Sequence, residues 1–193
     1  TLVPIDEEKD GKRKVNMAER KREELNQMYR HDNRVAPYAG NAFGATKVAF
    51  GNIFADFCQA LEQVLKKEGI NVTIDYNNVR KMVAHDRRIG DAWLDVSHGS
   101  YRGFGGYCLP KDLDAIIFAS RILIKKLPEK SANRILLDRG TAVLEAIRDY
   151  NNTLLASQGI PFEKATEHDH EVAAFLKNQP GPGPILRRQG GQL

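Results

Sequence analysis

The sequence predicts a mainly α-helical fold organised around one long helix and one glycine-rich loop. Apolar residues recur at spacings of three, four and seven over residues 37–68, which is the periodicity of an amphipathic helix. The stretches 110–127 and 131–157 repeat this periodicity. The β-branched run at residues 70–74 is too short and too isolated to promise a sheet.

Length and composition narrow the class of protein. The chain has 193 residues, of which 41% are hydrophobic and 28% charged, as expected for one globular domain with tails. No run of about 18 apolar residues occurs, so we expect no membrane span. The net charge of +4 comes from interleaved acidic and basic residues, so nucleic acid is not an expected partner. Only two cysteines occur, which favours a reducing compartment, the cytoplasm.

Composition shifts divide the chain into four segments. Residues 1–34 form a charged arm, with a short basic cluster at 11–14 and a predicted polar helix from Val15 to Arg30. Residues 35–159 form the helical domain, residues 160–178 a short helix and residues 179–193 a tail rich in proline and glycine. The chain is either part of a longer polypeptide or a protein that stands alone.

The long helix is predicted from Pro37 to Glu68. Proline suits the first turn of a helix, and Gly69 suits its end. One stripe of this helix consists mostly of aromatic residues and another consists of alanines. We expect one stripe to pack on the domain and the other on a partner subunit. A core helix of a monomer is the alternative. The stripes are Phe43, Phe50, Phe54, Phe57, Leu61 and Val64, and Ala39, Ala42, Ala45, Ala49, Ala55 and Ala60.

The other helices are predicted from residues that cap or interrupt helices. Asp75 is the predicted cap of a helix over 76–84, and the stretch 91–102 lacks periodicity but contains Trp93, His98 and Tyr101, as loops at sites or interfaces do. A helix over 110–127 presents the glycine-rich loop. A second long helix runs over 131–157, and a last one over 162–178.

The segment from Gly103 to Asp112 carries the chemistry. Its three glycines permit a tight bend just before Cys108, and Pro110 can lie in the first turn of the helix that follows. A helix N-terminus and Lys111 both favour a thiolate, the nucleophilic form of cysteine. Asp112, one turn on, can steer a proton or a water near the sulfur. A buried, inert thiol beside a glycine turn is the alternative.

This segment resembles the active-site loop of the UDP-glucose and GDP-mannose 6-dehydrogenases, whose pattern is Gly-(Phe/Tyr)-Gly-Gly-x-Cys-(Leu/Phe)-x-Lys-Asp. The resemblance implies that Cys108 captures the aldehyde from a first hydride transfer and that a second transfer gives a thioester. Asp112 would assist hydrolysis of that thioester. By the same resemblance the substrate-binding residues are Tyr101, Phe104, Gly105, Gly106 and Arg88, and Lys111 contacts the NAD cofactor.

The start of the long helix, Tyr38 to Phe50, is similar to the helix that forms the dimer in this family. Asn41 falls on the active-site asparagine of the family. The family has a catalytic lysine four residues earlier, where this chain has Pro37. Lys47 cannot replace that lysine, because it lies ten residues beyond Pro37 along the helix, about 15 Å away. Arg88, directly before Ile-Gly, matches an arginine that reaches the neighbouring subunit's sugar-nucleotide site.

Two functional readings follow from the resemblance, which covers residues 38–155. In the first, the chain is the dimerisation and active-site module of a nucleotide-sugar 6-dehydrogenase, with a UDP-sugar as ligand and NAD held elsewhere, on a further domain or on a partner chain with a Rossmann domain. In the second, it is a non-catalytic dimeric scaffold or nucleotide-sugar-binding protein. No metal is expected, since His168 and His170 point to different sides of a helix.

Overall fold

The computed structural model describes residues 32–97 and 101–165, together with Val172 and Asn178. These residues form five helices and no strand, which confirms the predicted mainly α fold without a Rossmann unit in this part of the chain. None of the described helices is long and apolar enough to cross a bilayer. The helices are α1 (Asp32–Lys67), α2 (Tyr76–Ala84), α3 (Cys108–Lys126), α4 (Ala132–Ser157) and α5 (Phe162–Ala165).

The core forms where α3 lies between α1 and α4. The small face of α1 packs here, because alanine side chains let the helix axes approach closely. Ala45 and Leu113 are completely buried at the centre of this contact. The cluster consists of Ala42, Ala45, Val48, Ala49, Phe104, Leu113 and Ile117. Ala42, Ala45 and Ala49 of the alanine stripe therefore pack on the domain, whereas Ala39 and Ala60 are exposed.

The aromatic stripe of α1 faces away from this core. Phe43 is 62% exposed and Phe57 is 55% exposed. The rings of Phe50 and Phe54 stack with centroids 5.8 Å apart, and Phe54 meets Phe57 at 5.5 Å. The stripe continues through Ile53, Leu61 and Val64. A contiguous apolar surface of this kind is typical of a protein interface.

The predicted start of α1 is wrong. The helix begins by Asp32, so Pro37 lies inside it rather than in its first turn. The proline ring has a φ that a helix accepts, but Pro37 has no N–H to donate to the carbonyl of Asn33. The other predicted starts agree with the structure to within two residues. Asp75 accepts a hydrogen bond from the amide of Asn77 at 2.9 Å, which confirms the predicted cap of α2.

The loop over residues 85–97 folds back onto α1 at two glycines. The Tyr76 hydroxyl donates to the carbonyl of Leu94 at 2.8 Å, and a side chain at Gly51 would collide with both groups. Tyr76 is buried, which raises the pKa of its phenol to about 12 and keeps it a donor. Gly44 accepts the ring of Trp93 in the same way.

Cys58 is buried, although it lies between Phe54, Phe57 and Leu61 in the sequence. It packs with Tyr76 and Val96 beneath this loop, and not among the phenylalanines of α1. The reason is the direction of the aromatic stripe, which points outward.

Several sequence predictions lie outside the described residues. They are the arm helix over 15–30, the tail over 179–193, His98, His168 and His170. The predicted last helix is described only over α5 and at Val172, which is helical and completely buried.

Candidate active site

The glycine-rich loop is anchored at its start by Arg102. The guanidinium binds both oxygens of Asn52, through Nε and a terminal nitrogen, each at 3.0 Å. It also pairs with Asp56 at 2.6 Å. The Arg102 amide donates to the side chain of Gln158 at 2.7 Å, and the Gln158 amide donates back to the Arg102 carbonyl at 3.0 Å. Arg102 therefore ties the loop to α1 and to the end of α4.

Two residues later, Asn151 of α4 holds the backbone of Phe104. The Phe104 amide donates to the side-chain oxygen of Asn151 at 2.7 Å, and the Asn151 amide donates to the Phe104 carbonyl at 2.8 Å. All of these groups are buried, so both bonds are shielded from water. Gly103 has a φ of +96° and lies against Asn151, where a Cβ would stand 2.7 Å from its oxygen. Only glycine suits both conditions.

Tyr101 lies beneath the loop rather than on its surface. It is 1% exposed and packs with Leu155, Ile160, Ala165 and Val172. A Cβ on Gly105 would stand 2.4 Å from the Tyr101 hydroxyl oxygen and 2.7 Å from the carbonyl oxygen of Ala165.

This packing places three of the predicted substrate-binding residues inside the domain. The side chains of Tyr101 and Phe104 are buried in the core, and their contact with a substrate stays a prediction. The space above Gly105 is filled by the protein itself and not left open for a ligand. In this conformation the loop offers a substrate its backbone and Gly106, which has a φ of +70°.

Cys108 is the first residue of α3, and its side chain is exposed. Tyr107 precedes it at the cap position without a side-chain hydrogen bond to the helix, so no side-chain cap competes for the first amides of α3. Pro110 lies in the first turn, where a missing N–H costs nothing. The predicted cysteine at a helix start is confirmed, and the buried-thiol alternative for Cys108 is wrong.

Asp112 is held through both of its carboxylate oxygens. One oxygen accepts a 2.5 Å hydrogen bond from the amide of Asn41 on α1. The other pairs with the ammonium of Lys111. That ammonium also lies over two aromatic rings, 5.3 Å from the centroid of Tyr38 and 5.7 Å from that of Tyr107. Asp112 itself is 5% exposed, so a buried carboxylate is fixed by two donors.

The structure thus brings the predicted catalytic residues together. Lys111 and Asp112 follow Cys108 by three and four residues on α3, and residues at these spacings share one helix face. Asn41 joins them from α1. An exposed thiol, a buried carboxylate and an ammonium within the first turn and a half of one helix can support addition to a carbonyl and proton transfer from water.

Arg88 lies on a separate loop. Its guanidinium binds Asp86 at 2.6 Å, and its side chain is 88% exposed. Lys47 of α1 fixes this loop by donating to the carbonyls of Ile89, at 2.8 Å, and Gly90, at 3.3 Å. Lys47 is therefore engaged with this loop, in agreement with the expectation that it does not replace the lysine that the family has at the position of Pro37. Arg88 projects outward, and its role toward a neighbouring subunit stays a prediction.

Sequence reasoning missed the groups that hold the loop, namely Arg102 and Asn151, because neither belongs to a motif. It also gave Trp93 no role. Trp93 is 46% exposed, has a φ of +65° and packs on Gly44, three residues after Asn41. The signal for Trp93 was available, since a glycine inside a helix costs about 1 kcal/mol and usually admits a close neighbour.

The residues that the structure describes form neither a metal site nor a dinucleotide-binding unit. No three His, Cys, Asp or Glu side chains in the described segments converge as metal ligands. Residues 32–97 and 101–165 contain no strand and therefore no βαβ unit, so they do not form the fold that binds NAD in dinucleotide-binding domains. Lys111 is bound to Asp112 in the structure, and its predicted contact with NAD stays a prediction.

Comparison with known proteins gives a consistent result. Residues 33–128 match the central domain of the UDP-glucose/GDP-mannose dehydrogenase family. The chain is 28% identical over 138 residues to the UDP-glucose 6-dehydrogenase of Rickettsia bellii, covering 67% of this chain and 28% of the relative. It is 37% identical over 84 residues to UDP-glucose 6-dehydrogenase AglM of Haloferax volcanii, covering 44% and 16% respectively.

A further relative is the UDP-glucose 6-dehydrogenase of Pseudomonas aeruginosa, 34% identical over 90 residues that cover 47% of this chain and 17% of the relative. The chain thus spans between 16% and 28% of the length of these three relatives. No solved structure matches the chain.

We predict that Cys108 reacts with alkylating reagents far faster than Cys58 in the folded protein. Cys108 is exposed, whereas burial and the charge of Asp75 raise the pKa of the Cys58 thiol, so less thiolate is present at neutral pH. Iodoacetamide labelling followed by peptide mass spectrometry measures both rates. Unfolding in urea should bring the two rates together, and equal rates before unfolding would contradict the assignment.

We also predict that Gly105→Ala destabilises the protein by about 1–3 kcal/mol and disturbs the loop before Cys108, because the new methyl group collides with the Tyr101 hydroxyl and the Ala165 carbonyl. Gly40→Ala is the matched control, since nothing lies within 4 Å of its Cβ position and alanine favours a helix. Urea unfolding measures both free energies. A Gly105→Ala protein as stable as the Gly40→Ala protein would refute the packing described here.

Proposed function

Residues 33–128 belong to the central domain of the UDP-glucose/GDP-mannose dehydrogenase family, and from this membership we propose that the chain is the cysteine-bearing, dimer-forming module of a nucleotide-sugar 6-dehydrogenase. In this proposal the sugar C6 is oxidised to a carboxylate through an adduct on Cys108. The module is incomplete by itself, because the hydride acceptor NAD has no seat among the described residues.

The observation that carries the proposal is the geometry around Asp112. A carboxylate that is 5% exposed is bound by Asn41 from one helix and Lys111 from another, one turn from an exposed cysteine. A structural role alone does not account for an exposed thiol at this place, since a free cysteine is usually buried. The arrangement suits a nucleophile with an adjacent proton acceptor.

The chain's own residues support two chemical steps. In the first, the Cys108 thiolate adds to the aldehyde carbon at C6 and forms a thiohemiacetal. In the second, after oxidation to the thioester, water adds to the carbonyl carbon while Asp112 takes a proton from it. Collapse of the adduct breaks the carbon–sulfur bond, releases the carboxylate and restores the thiol. One hydride transfer precedes the first step and a second lies between the two steps; both would go to NAD, which a further domain or a partner chain would hold.

The ligand we propose is a UDP-sugar. The loop backbone at Gly106 is left for the sugar, and Arg88 would bind phosphate or sugar hydroxyls in a neighbouring subunit. Its exposure and its short loop, fixed by Lys47, support that role. A planar guanidinium binds phosphate oxygens in a bidentate manner.

We propose a homodimer through the aromatic stripe of α1. The stripe is exposed in the single chain, runs from Phe43 to Val64 and lies on the face opposite the alanines that pack on the domain. Two copies of one helix can bury such a stripe against each other about a two-fold axis.

A second candidate is a non-catalytic descendant that serves as a dimeric scaffold or binds nucleotide sugars. Pro37 favours this reading, because the 6-dehydrogenases that this chain resembles carry a catalytic lysine at that position. The intact set of Cys108, Asp112 and Asn41 favours the catalytic module.

The proposal is tested with the 6-aldehyde of UDP-glucose. If Cys108 captures the aldehyde, the compound should slow iodoacetamide labelling of Cys108 by at least about 10-fold, while UDP-glucose, which lacks the carbonyl, gives much weaker protection. Labelling of Cys58 in urea-unfolded samples is the internal control. Equal protection by the aldehyde and by UDP-glucose would favour the binding protein. No protection by either would contradict the catalytic module and the nucleotide-sugar-binding protein, and would favour the dimeric scaffold.

We predict that the chain sediments as a dimer at micromolar concentration and that Phe54→Glu combined with Phe57→Glu gives a monomer. Buried aromatic residues at interface centres contribute about 2 kcal/mol or more each, so the pair should weaken association at least 30-fold. Met82→Glu, at an exposed apolar residue of α2 that is 74% exposed, is the matched control and should remain dimeric. A monomeric parent chain would contradict the proposed interface.

We further predict that the isolated chain forms no NADH from UDP-glucose and NAD, and that Pro37→Lys alone does not confer turnover. Positioning of the reactants accounts for at most about 7–11 kcal/mol of a barrier, and the described residues offer no dinucleotide fold to provide it. Absorbance at 340 nm measures NADH. Clear turnover by the unmodified chain would show that NAD is held where no seat was found.

A further inference from the structure

We propose that the ammonium of Lys111 is a catalytic group in the hydrolysis of the acyl group on Cys108, where it stabilises the oxyanion that forms when water adds. This inference rests on the proposed role of Cys108 as nucleophile. It assigns to Lys111 a function other than contact with a cofactor.

The position of Lys111 is unusual for a lysine. Long cationic side chains are normally solvated and lose rotamer entropy when they are held in one place. Here the side chain is 26% exposed, pairs with Asp112 and lies over the rings of Tyr38 and Tyr107. Three contacts, with Tyr38 of α1, Asp112 of α3 and Tyr107 just before Cys108, thus fix a positive charge one helical turn after Cys108.

Other cations around the loop are committed elsewhere. Lys47 binds the carbonyls of Ile89 and Gly90, and Arg102 binds Asn52 and Asp56. On the side of α1 that faces Asp112, the turn before Asn41 brings Pro37 and Tyr38, neither of which is charged. Lys111 is the cation that the described structure places on the helix face of Cys108.

The chemistry follows from this placement. When water attacks the thioester carbonyl carbon, the carbon–oxygen double bond opens and its electron pair becomes the oxyanion, while Asp112 takes the proton. An ammonium has three N–H donors, so Lys111 can bind Asp112 and the oxyanion together. The oxyanion then reforms the double bond, the Cys108 thiolate leaves, and the carboxylic acid ionises. Lys111 remains protonated throughout.

The test uses p-nitrophenyl acetate, which transfers an acetyl group to a reactive thiol and releases p-nitrophenolate without any cofactor. It is performed on the full chain carrying Cys58→Ser, so that only Cys108 can react. Mass spectrometry follows the formation and loss of acetyl-Cys108. We expect Lys111→Met to slow the loss of acetyl by about 10- to 100-fold, in line with the removal of one oxyanion donor. Lys111→Arg, which keeps the charge, should retain most of the rate.

Hydroxylamine separates a direct role of Lys111 from one exerted through Asp112. This nucleophile attacks the thioester as a free amine and needs little help from a base, but its adduct still has an oxyanion. Lys111→Met should therefore slow deacylation by hydroxylamine, and Asp112→Asn should not. Pro37→Lys in the Lys111→Met background should restore part of the rate by supplying an ammonium from α1. Lys125→Met, at an exposed lysine at the far end of α3, is the matched control.

The outcomes separate the two proposals. If acetyl-Cys108 never forms on the parent protein, the nucleophile and this inference both fail. If it forms and is lost at the same rate in the parent and in Lys111→Met, only the role of Lys111 is overturned. Circular dichroism checks folding, and if Lys111→Met does not fold, Lys111→Gln takes its place in every comparison with the same expected result.

Discussion

The site depends on a pair of hydrogen bonds from one side chain. Asn151 binds both the amide and the carbonyl of Phe104, in the middle of a loop with three glycines. Such a loop is entropically expensive to order, at about 1–2 kcal/mol per residue. The buried side-chain amide of Asn151, the Arg102 network two residues before Phe104 and Tyr101 beneath Gly105 together fix the backbone that leads into Cys108. The cysteine itself makes no comparable contribution to stability, because it is exposed.

The long helix α1 has three tasks that are separated by face and by position along its axis. Its alanines allow α3 to approach, its interior glycines receive the loop with Trp93 and Leu94, and its phenylalanines remain outside. Near its start, Asn41 reaches Asp112. A change of register in α1 would therefore alter the core, the site and the outer surface together. This coupling explains why a helix of 36 residues is needed where the core uses only part of its length.

Much of the fold followed from the sequence, because periodicity, caps and breakers act locally. Helix α1 ends at Lys67, one residue before the predicted end, and α4 covers Ala132–Ser157 where 131–157 was predicted. The motif around Cys108 correctly placed the thiol at a helix start. Periodicity could not decide which stripe of α1 faces the core. Both stripes of α1 fit a core, and only the packing with α3 shows that the alanines face it. Asn41 and Asp112 are 71 residues apart in the sequence, so only the family resemblance assigned them to the same active site. Tyr101 was assigned to the substrate because sequence does not reveal that Ile160 and Val172 cover it.

The central claim is that Cys108 forms a covalent adduct with the C6 aldehyde of a nucleotide sugar. The most direct measurement is the carbon-13 NMR spectrum of the 6-aldehyde of UDP-glucose, labelled at C6, in the presence of the chain. The account predicts a new, broadened resonance from a tetrahedral carbon bonded to sulfur, which is absent with Cys108→Ser and retained with Cys58→Ser. Identical spectra for the parent chain and for Cys108→Ser would contradict it.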